Sequence, residues 1–186
     1  MNTTTSTNER PEISPIRRTT IFCRDMERSL RCYRDILGLS VIEDKRVSGP
    51  AIASMMGLDD CTIRIVHLQS GTSPDGLVGL YGIEEGRPEE LPMVKTSSIM
   101  LGQVVVVFYT SALARIHRDV VAAGLTVMSS PREYVKTEPS AYTPVGTYAE
   151  MIFFDPDGVP VNVVQYTPPE QVAGGGQSRA FPPSSW

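Results

Sequence analysis

Two stretches of this chain follow one plan, and that repetition constrains the fold more than any single motif. The first is RTTIFCRDMERSLRCYRDILGLSV (18–41) and the second is QVVVVFYTSALARIHRDVVAAGLTV (103–127). Each opens on a β-rich run and breaks at polar residues, Arg24–Asp25 or Thr110–Ser111. Apolar residues at helical spacing follow: Leu30, Tyr33, Ile36 and Leu37 in one, Leu113, Ile116, Val120 and Val121 in the other. Gly38 and Gly124 then stop the helix and a new strand starts, GLSV answering GLTV. Strand-like segments come next at 38–44, 61–69 and 76–82, and again at 124–129, 147–154 and 159–166. The plan is βαβββ, stated twice, which makes the fold class α+β.

A βαβββ half covers one face of its sheet with its own helix and leaves the other bare, so two halves must pair. The concave space between them is the natural site. Period-two alternation sends Thr19, Ile21 and Cys23 toward the helix and leaves Arg18, Thr20 and Phe22 for the cavity. By the repeat, Val104, Val106 and Phe108 turn inward while Gln103, Val105, Val107 and Tyr109 face the cavity. The expected boundaries are module one at 16–82, a crossing linker at 83–100 and module two at 101–168. The Thr/Ser/Asn/Pro-rich 1–15 and the Pro/Gly/Ser-rich 169–186 read as flexible tails. Docking of Phe181 and Trp186 on a neighbouring surface is the other reading of the second tail.

The segment 18–166 resembles the glyoxalase/bleomycin-resistance/dioxygenase group, the vicinal oxygen chelate superfamily. Asp25, Met26, Ser29, Leu30, Tyr33, Leu37 and Gly38 stand at the spacing of that family's first module. The DPDG of 155–158, followed by a short apolar strand, is similar to its closing motif. The resemblance implies paired βαβββ modules around a U-shaped, mixed-sheet cavity that takes a small molecule, and it makes a homodimer an expectation. In many members four strands each supply one His, Glu or Gln to a divalent metal. Carried over position by position, those ligands become Arg18, Gly79, Gln103 and Asn162. An arginine only donates, a glycine has no side chain, and amides are neutral ligands. No metal and no cofactor is therefore expected at the usual place.

Composition narrows the partners. A net charge of -4 without a long basic run gives no footprint for nucleic acid or for an anionic membrane. Three cysteines without CxxC spacing, no apolar leader and no spanning run point to a soluble protein of the reducing cytoplasm. Arg18 is the sharpest ligand-binding candidate, with Thr20, Phe22, Gln103 and Asn162; a solvent-facing Arg18 beside Arg17 is the competing reading. Tyr81, Tyr109, His67 and Glu150 are the candidate proton carriers. The alternation leaves the facing of His67 and Glu150 undecided, and a satisfied structural histidine is the default for His67. His117 lies mid-helix and is set aside.

Three functions fit these residues. The first is a metal-independent isomerase, lyase or cyclase in which Arg18, Gln103 and Asn162 converge on an oxyanion. The second is a protein that sequesters a drug or metabolite, as bleomycin-resistance relatives do, and the third is a metal-dependent glyoxalase or dioxygenase with displaced ligands. The long connection 43–61 either covers the cleft or folds Met55, Met56 and Leu58 into a short buried helix. Its counterpart, 129–146, offers Arg132, Tyr134 and Lys136 for polar contacts.

Overall fold

The structure, a computed structural model, describes residues 13–86, 88–93 and 97–169. Most of both expected tails, Phe181 and Trp186 included, lies outside the described residues. Module one runs β1 (Arg18–Phe22), α1 (Met26–Leu30), a π-helical turn (Arg31–Ile36), β2 (Ser40–Ser48), α2 (Pro50–Met56), β3 (Thr62–Gln69) and β4 (Leu77–Glu85). Module two repeats the order with β5 (Val106–Tyr109), α3 (Leu113–Ala122), β6 (Val127–Lys136), β7 (Gly146–Phe154) and β8 (Pro160–Thr167). The sheets have matching strand orders, β1-β4-β3-β2 and β5-β8-β7-β6. In each, the first strand lies parallel to the last and the other pairs are antiparallel. These are the paired βαβββ modules of an α+β fold.

The local signals act as their chemistry requires. The Asp25 carboxylate accepts from the Arg28 amide at 3.1 Å and caps α1. Gly38 and Gly124 take φ of 80° and 68°, the left-handed turn that ends each helix and that only glycine enters without strain. β2 and β6 run further than the sequence suggests, to Ser48 and Lys136. Their charged stretches look like loop but form the sheet edges, where charge deters unwanted pairing. The 43–61 connection does fold a short helix, with Met56 and Leu58 packed against a small cluster of Ala53, Cys61, Ile63 and Ile65. Met55 instead points to solvent.

One core serves both modules. Leu30, Tyr33 and Ile36 from the first helix, and Leu113, Ile116 and Val120 from α3, share a cluster with Val66, Leu68 and Leu80 of one sheet and Met151, Phe153 and Val163 of the other. The opposite faces of the two sheets are left for the sites. A polar latch reinforces this core at the DPDG turn. Asp157 accepts from the Arg24 amide and from the Ser29 hydroxyl, each at 2.7 Å, and Tyr33 donates to Asp155 at 2.8 Å. The closing turn of module two is thereby pinned to the first helix of module one.

Asp155 is 3% exposed, and burial pushes its carboxyl up to about 6 from an ordinary 3.8, against the pull of the Val159 and Asp157 amides and Tyr33. A carboxyl raised in the folded state favours folding below pH 4 and loses that contribution as pH rises through 6. Its effect should reach about 2–3 kcal/mol between pH 4 and 7. Denaturant titrations of wild type and Asp155→Asn across that range isolate it, because Asp35, Glu43 and Asp44, whose carboxyls are lowered and act in the opposite sense, are common to both. The gap between the two proteins should move with pH in favour of the variant; a constant gap contradicts the assignment.

Candidate functional site

On the open face of module one, β1, β4, β3 and β2 bring four side chains into a line. Arg18 stands on β1, Tyr81 on β4, and His67 on β3 directly opposite Glu43 on β2. His67 Nδ1 lies 2.7 Å from Glu43 Oε2. A carboxylate only accepts, so Nδ1 carries the proton and Nε2 presents its lone pair. Arg18 Nη1 donates to that Nε2 at 3.1 Å, and the Tyr81 hydroxyl lies 3.5 Å from it. Burial first, and then the Arg18 charge, lowers the His67 pKa below its ordinary 6.5. The imidazole is thus neutral at pH 7, held by a carboxylate on one side and facing a cation on the other. Lys45 donates to the second Glu43 oxygen at 2.8 Å and keeps that carboxylate ionised.

Arg18, which the family resemblance sets at a metal-ligand position, has two further contacts. Its Nε donates to Thr20 Oγ1 at 3.0 Å, and its Cζ sits 5.4 Å from the Tyr81 ring centroid. Beneath it, a Cβ added to Gly79 would meet Arg18 Cδ at 2.7 Å and Tyr81 Cε1 at 3.1 Å. Gly79 is small because the arginine stem lies across it. Among the described residues no three His, Cys, Asp or Glu side chains converge as a metal centre. The donor set at the four family positions does not fit a divalent ion: one is a cation, one has no side chain, and two are amides.

This packing makes a prediction. Gly79→Ala should push Arg18 off His67 and so raise the His67 midpoint toward its ordinary value, as followed by NMR titration of the imidazole. An unchanged midpoint would mean that Gly79 does not seat the arginine.

The open face of module two carries a second polar group. Asn162, 8% exposed, donates to Glu150 Oε2 and to the Met151 carbonyl, both at 3.2 Å. Tyr134 donates to Glu150 Oε1 at 2.6 Å, and that bond, before burial, pushes its phenol up to about 12. Tyr134 stacks on Tyr148 with centroids 5.5 Å apart, and Tyr148 leans on Tyr166 at 5.0 Å. Burial, then the Glu150 charge, raises the Tyr109 phenol as well. Tyr109, Tyr134 and Tyr148 are therefore protonated donors at neutral pH, not bases.

Between the modules, alongside the β1 edge, opens a cleft of about 700 Å³. Thr20 and Phe22 of β1, Tyr81 of β4, the 88–93 segment, Val104 and the turn at Asp157–Val159 wall it. Phe22 meets Tyr81 edge to face, 5.7 Å between centroids. Cys23 also lies on this wall, but burial, chiefly, pushes its thiol up to about 12, which removes it as a nucleophile.

The structure thus unites Arg18, Thr20, His67 and Tyr81, places Phe22 and Tyr81 on the cleft, and groups Glu150 with Asn162. It decides the facing of His67 and Glu150: both point to open faces. Gln103 departs from expectation. β5 begins only at Val106, and Gln103 sits in a turn where its side chain accepts from the Met100 amide at 2.8 Å. Arg18, Gln103 and Asn162 keep separate sets of partners in the single chain. Glu43 is the His67 partner that the sequence did not single out; the signal was its place two residues from Lys45 and opposite His67 on an edge strand.

Comparison with known proteins bears on the family and the fold. The family model described as Glyoxalase/Bleomycin resistance protein/Dioxygenase superfamily matches residues 16–163. A glyoxalase family protein from Bacillus cereus superimposes with a TM-score of 0.63 at 10% identity, covering 87% of this chain and 97% of that one. An integron cassette protein from V. cholerae gives a TM-score of 0.47 at 20% identity, over 86% and 100% of the two chains. TnmS3, an antibiotic binding protein from a Streptomyces species, gives 0.47 at 15% identity, over 85% and 100%. No curated protein matches the chain. The first of these similarities speaks to the fold.

Proposed function

The chain belongs to the Glyoxalase/Bleomycin resistance protein/Dioxygenase superfamily, and from that premise we propose that it is a metal-independent isomerase or lyase of an oxygen-bearing small molecule. The observation that carries this reading is the Glu43–His67 pair with Arg18 beside it. His67 Nε2 takes a proton from carbon next to a carbonyl, and Glu43 steadies the imidazolium that forms. Arg18 turns its donors to the enolate oxygen, a charge that develops as the proton leaves, and so releases Nε2 for its task. Return of the proton from His67 to a neighbouring carbon completes an isomerisation; expulsion of a β-substituent completes an elimination. Tyr81 orients the oxygen through its hydroxyl.

The assembly and setting belong to the same proposal. A homodimer that sets the open face of module one against that of module two in the partner would bring Asn162 and Glu150 toward Arg18. A light-scattering mass of one chain at high concentration would remove that part. No helix among the described residues is long and apolar enough to cross a membrane. Cys23, Cys32 and Cys61 are free thiols, in keeping with a reducing cytoplasm, and the net charge of -4 favours a small molecule over nucleic acid as partner.

The cleft supports a second reading, a protein that holds its ligand without turning it over. Proton NMR in D₂O distinguishes the two, with chelator-treated protein and a panel of 1,3-dicarbonyls and α-hydroxyketones. The enzyme exchanges a carbon-bound proton of at least one class catalytically. Stoichiometric binding without exchange supports the sequestering protein, and exchange that needs an added divalent ion contradicts the metal-free mechanism.

A further inference from the structure

The cleft beside β1 differs in chemistry from the polar line at His67, and the difference identifies what fills it. Among the described residues its only cation, Arg24, is already spoken for, and so is Asp157; Glu89 on the 88–93 segment is exposed and adds negative charge. Arg24 donates from Nε to Glu90 at 3.0 Å, from Nη1 to the Asp157 carbonyl at 2.8 Å, and from Nη2 to the Leu91 carbonyl. Both Asp157 carboxylate oxygens accept, from the Arg24 amide and from Ser29. An acidic ligand group placed here would lose water without gaining a counter-charge, so the acidic end must lie elsewhere. The apolar walls are another matter: Phe22, Leu91, Met93 and Val104 are all exposed, an arrangement that soluble proteins reserve for binding surfaces. About 700 Å³ is the size of a pocket for a compound of several rings.

Tyr81 joins this cleft to the polar site. Its ring meets Phe22 on one side, and its hydroxyl and face meet His67 and Arg18 on the other. Along β1, Arg18 and Phe22 are four residues apart, about 13 Å of strand. We propose that the cleft takes the uncharged, ring-bearing body of the ligand, and that the ligand class is an aromatic or polycyclic compound carrying one acidic oxygen that reaches Arg18. Only the oxygen end of this inference rests on the functional reading above; the cleft's occupant rests on the cleft.

Two probes separate the ends: uncharged, fluorescent N-phenyl-1-naphthylamine, and biphenyl-4-carboxylate as its competitor. The uncharged probe should bind saturably at one per chain and be displaced by the carboxylate. Val104→Trp and Leu91→Glu, both at exposed wall positions and checked for fold by circular dichroism, should each weaken both probes at least tenfold. Arg18→Ala should leave the uncharged probe within twofold and weaken the carboxylate about tenfold. Unsaturable binding, or wall variants that bind as tightly as wild type, overturns the inference. If the wall variants weaken both probes and Arg18→Ala weakens neither, the cleft stands and the reading of Arg18 falls.

Discussion

His67→Gln should lower the proposed proton exchange about 10²–10⁴-fold, the range a positioned general base contributes. Glutamine keeps a polar group of similar reach to Glu43 but has no lone-pair nitrogen to accept a proton, so the loss belongs to the chemistry rather than to packing. His67 is only partly buried, on a strand whose register is fixed by its apolar neighbours Val66 and Leu68, and thermal stability should hardly change. The wild-type rate should fall on the acid side with a midpoint below the ordinary histidine value, because the active form is neutral imidazole and its pKa is lowered. Exchange measured by NMR in D₂O reports both effects. A variant as active as wild type would remove His67 from the mechanism.

Phe153→Ala costs about 3–5 kcal/mol, a large share of the 5–15 kcal/mol that holds a domain folded. Phe153 is fully buried on the helix-facing side of β7, within the cluster that also holds Tyr33 and Ile36 of module one. Because that cluster is common, the destabilisation should lower the unfolding of both modules together in one transition. Urea titration followed by amide NMR signals from β3 and from β7 tests this. Separate transitions, with only β7 shifted, would mean that the modules fold independently.

The repeat carried most of the fold because its signals are local. A polar break, helical spacing and a closing glycine act within a few residues, and alternation on β1 sent Ile21 inward and Arg18 outward as its polarity required. Arg18 was legible for the same reason, through its fixed distance to the Asp25 cap. Glu43 was not. It stands in a run of charges, and what makes it a candidate is the register that sets it opposite His67, a fact of pairing between strands. Gln103 failed for a local reason that propensity hides: its side chain closes a turn on Met100, and the strand starts later. Glu150 was ambiguous because both faces of β7 are largely apolar, and its Asn162 and Tyr134 partners come from other strands. The Gly79 substitution became intelligible only with Arg18 lying over it.

In this mechanism His67 is neutral, donates its Nδ1 proton to Glu43 and holds its Nε2 lone pair against Arg18 until a ligand oxygen draws the arginine off. Nitrogen-15 NMR of the imidazoles measures this directly, since the chain has only two histidines and His67→Gln assigns them. The predicted result is a neutral ring at pH 7, protonated at Nδ1, titrating below 6.5 in chelator-treated protein. A ring protonated at Nε2, or one that titrates above 6.5, would contradict the metal-free proton-transfer site.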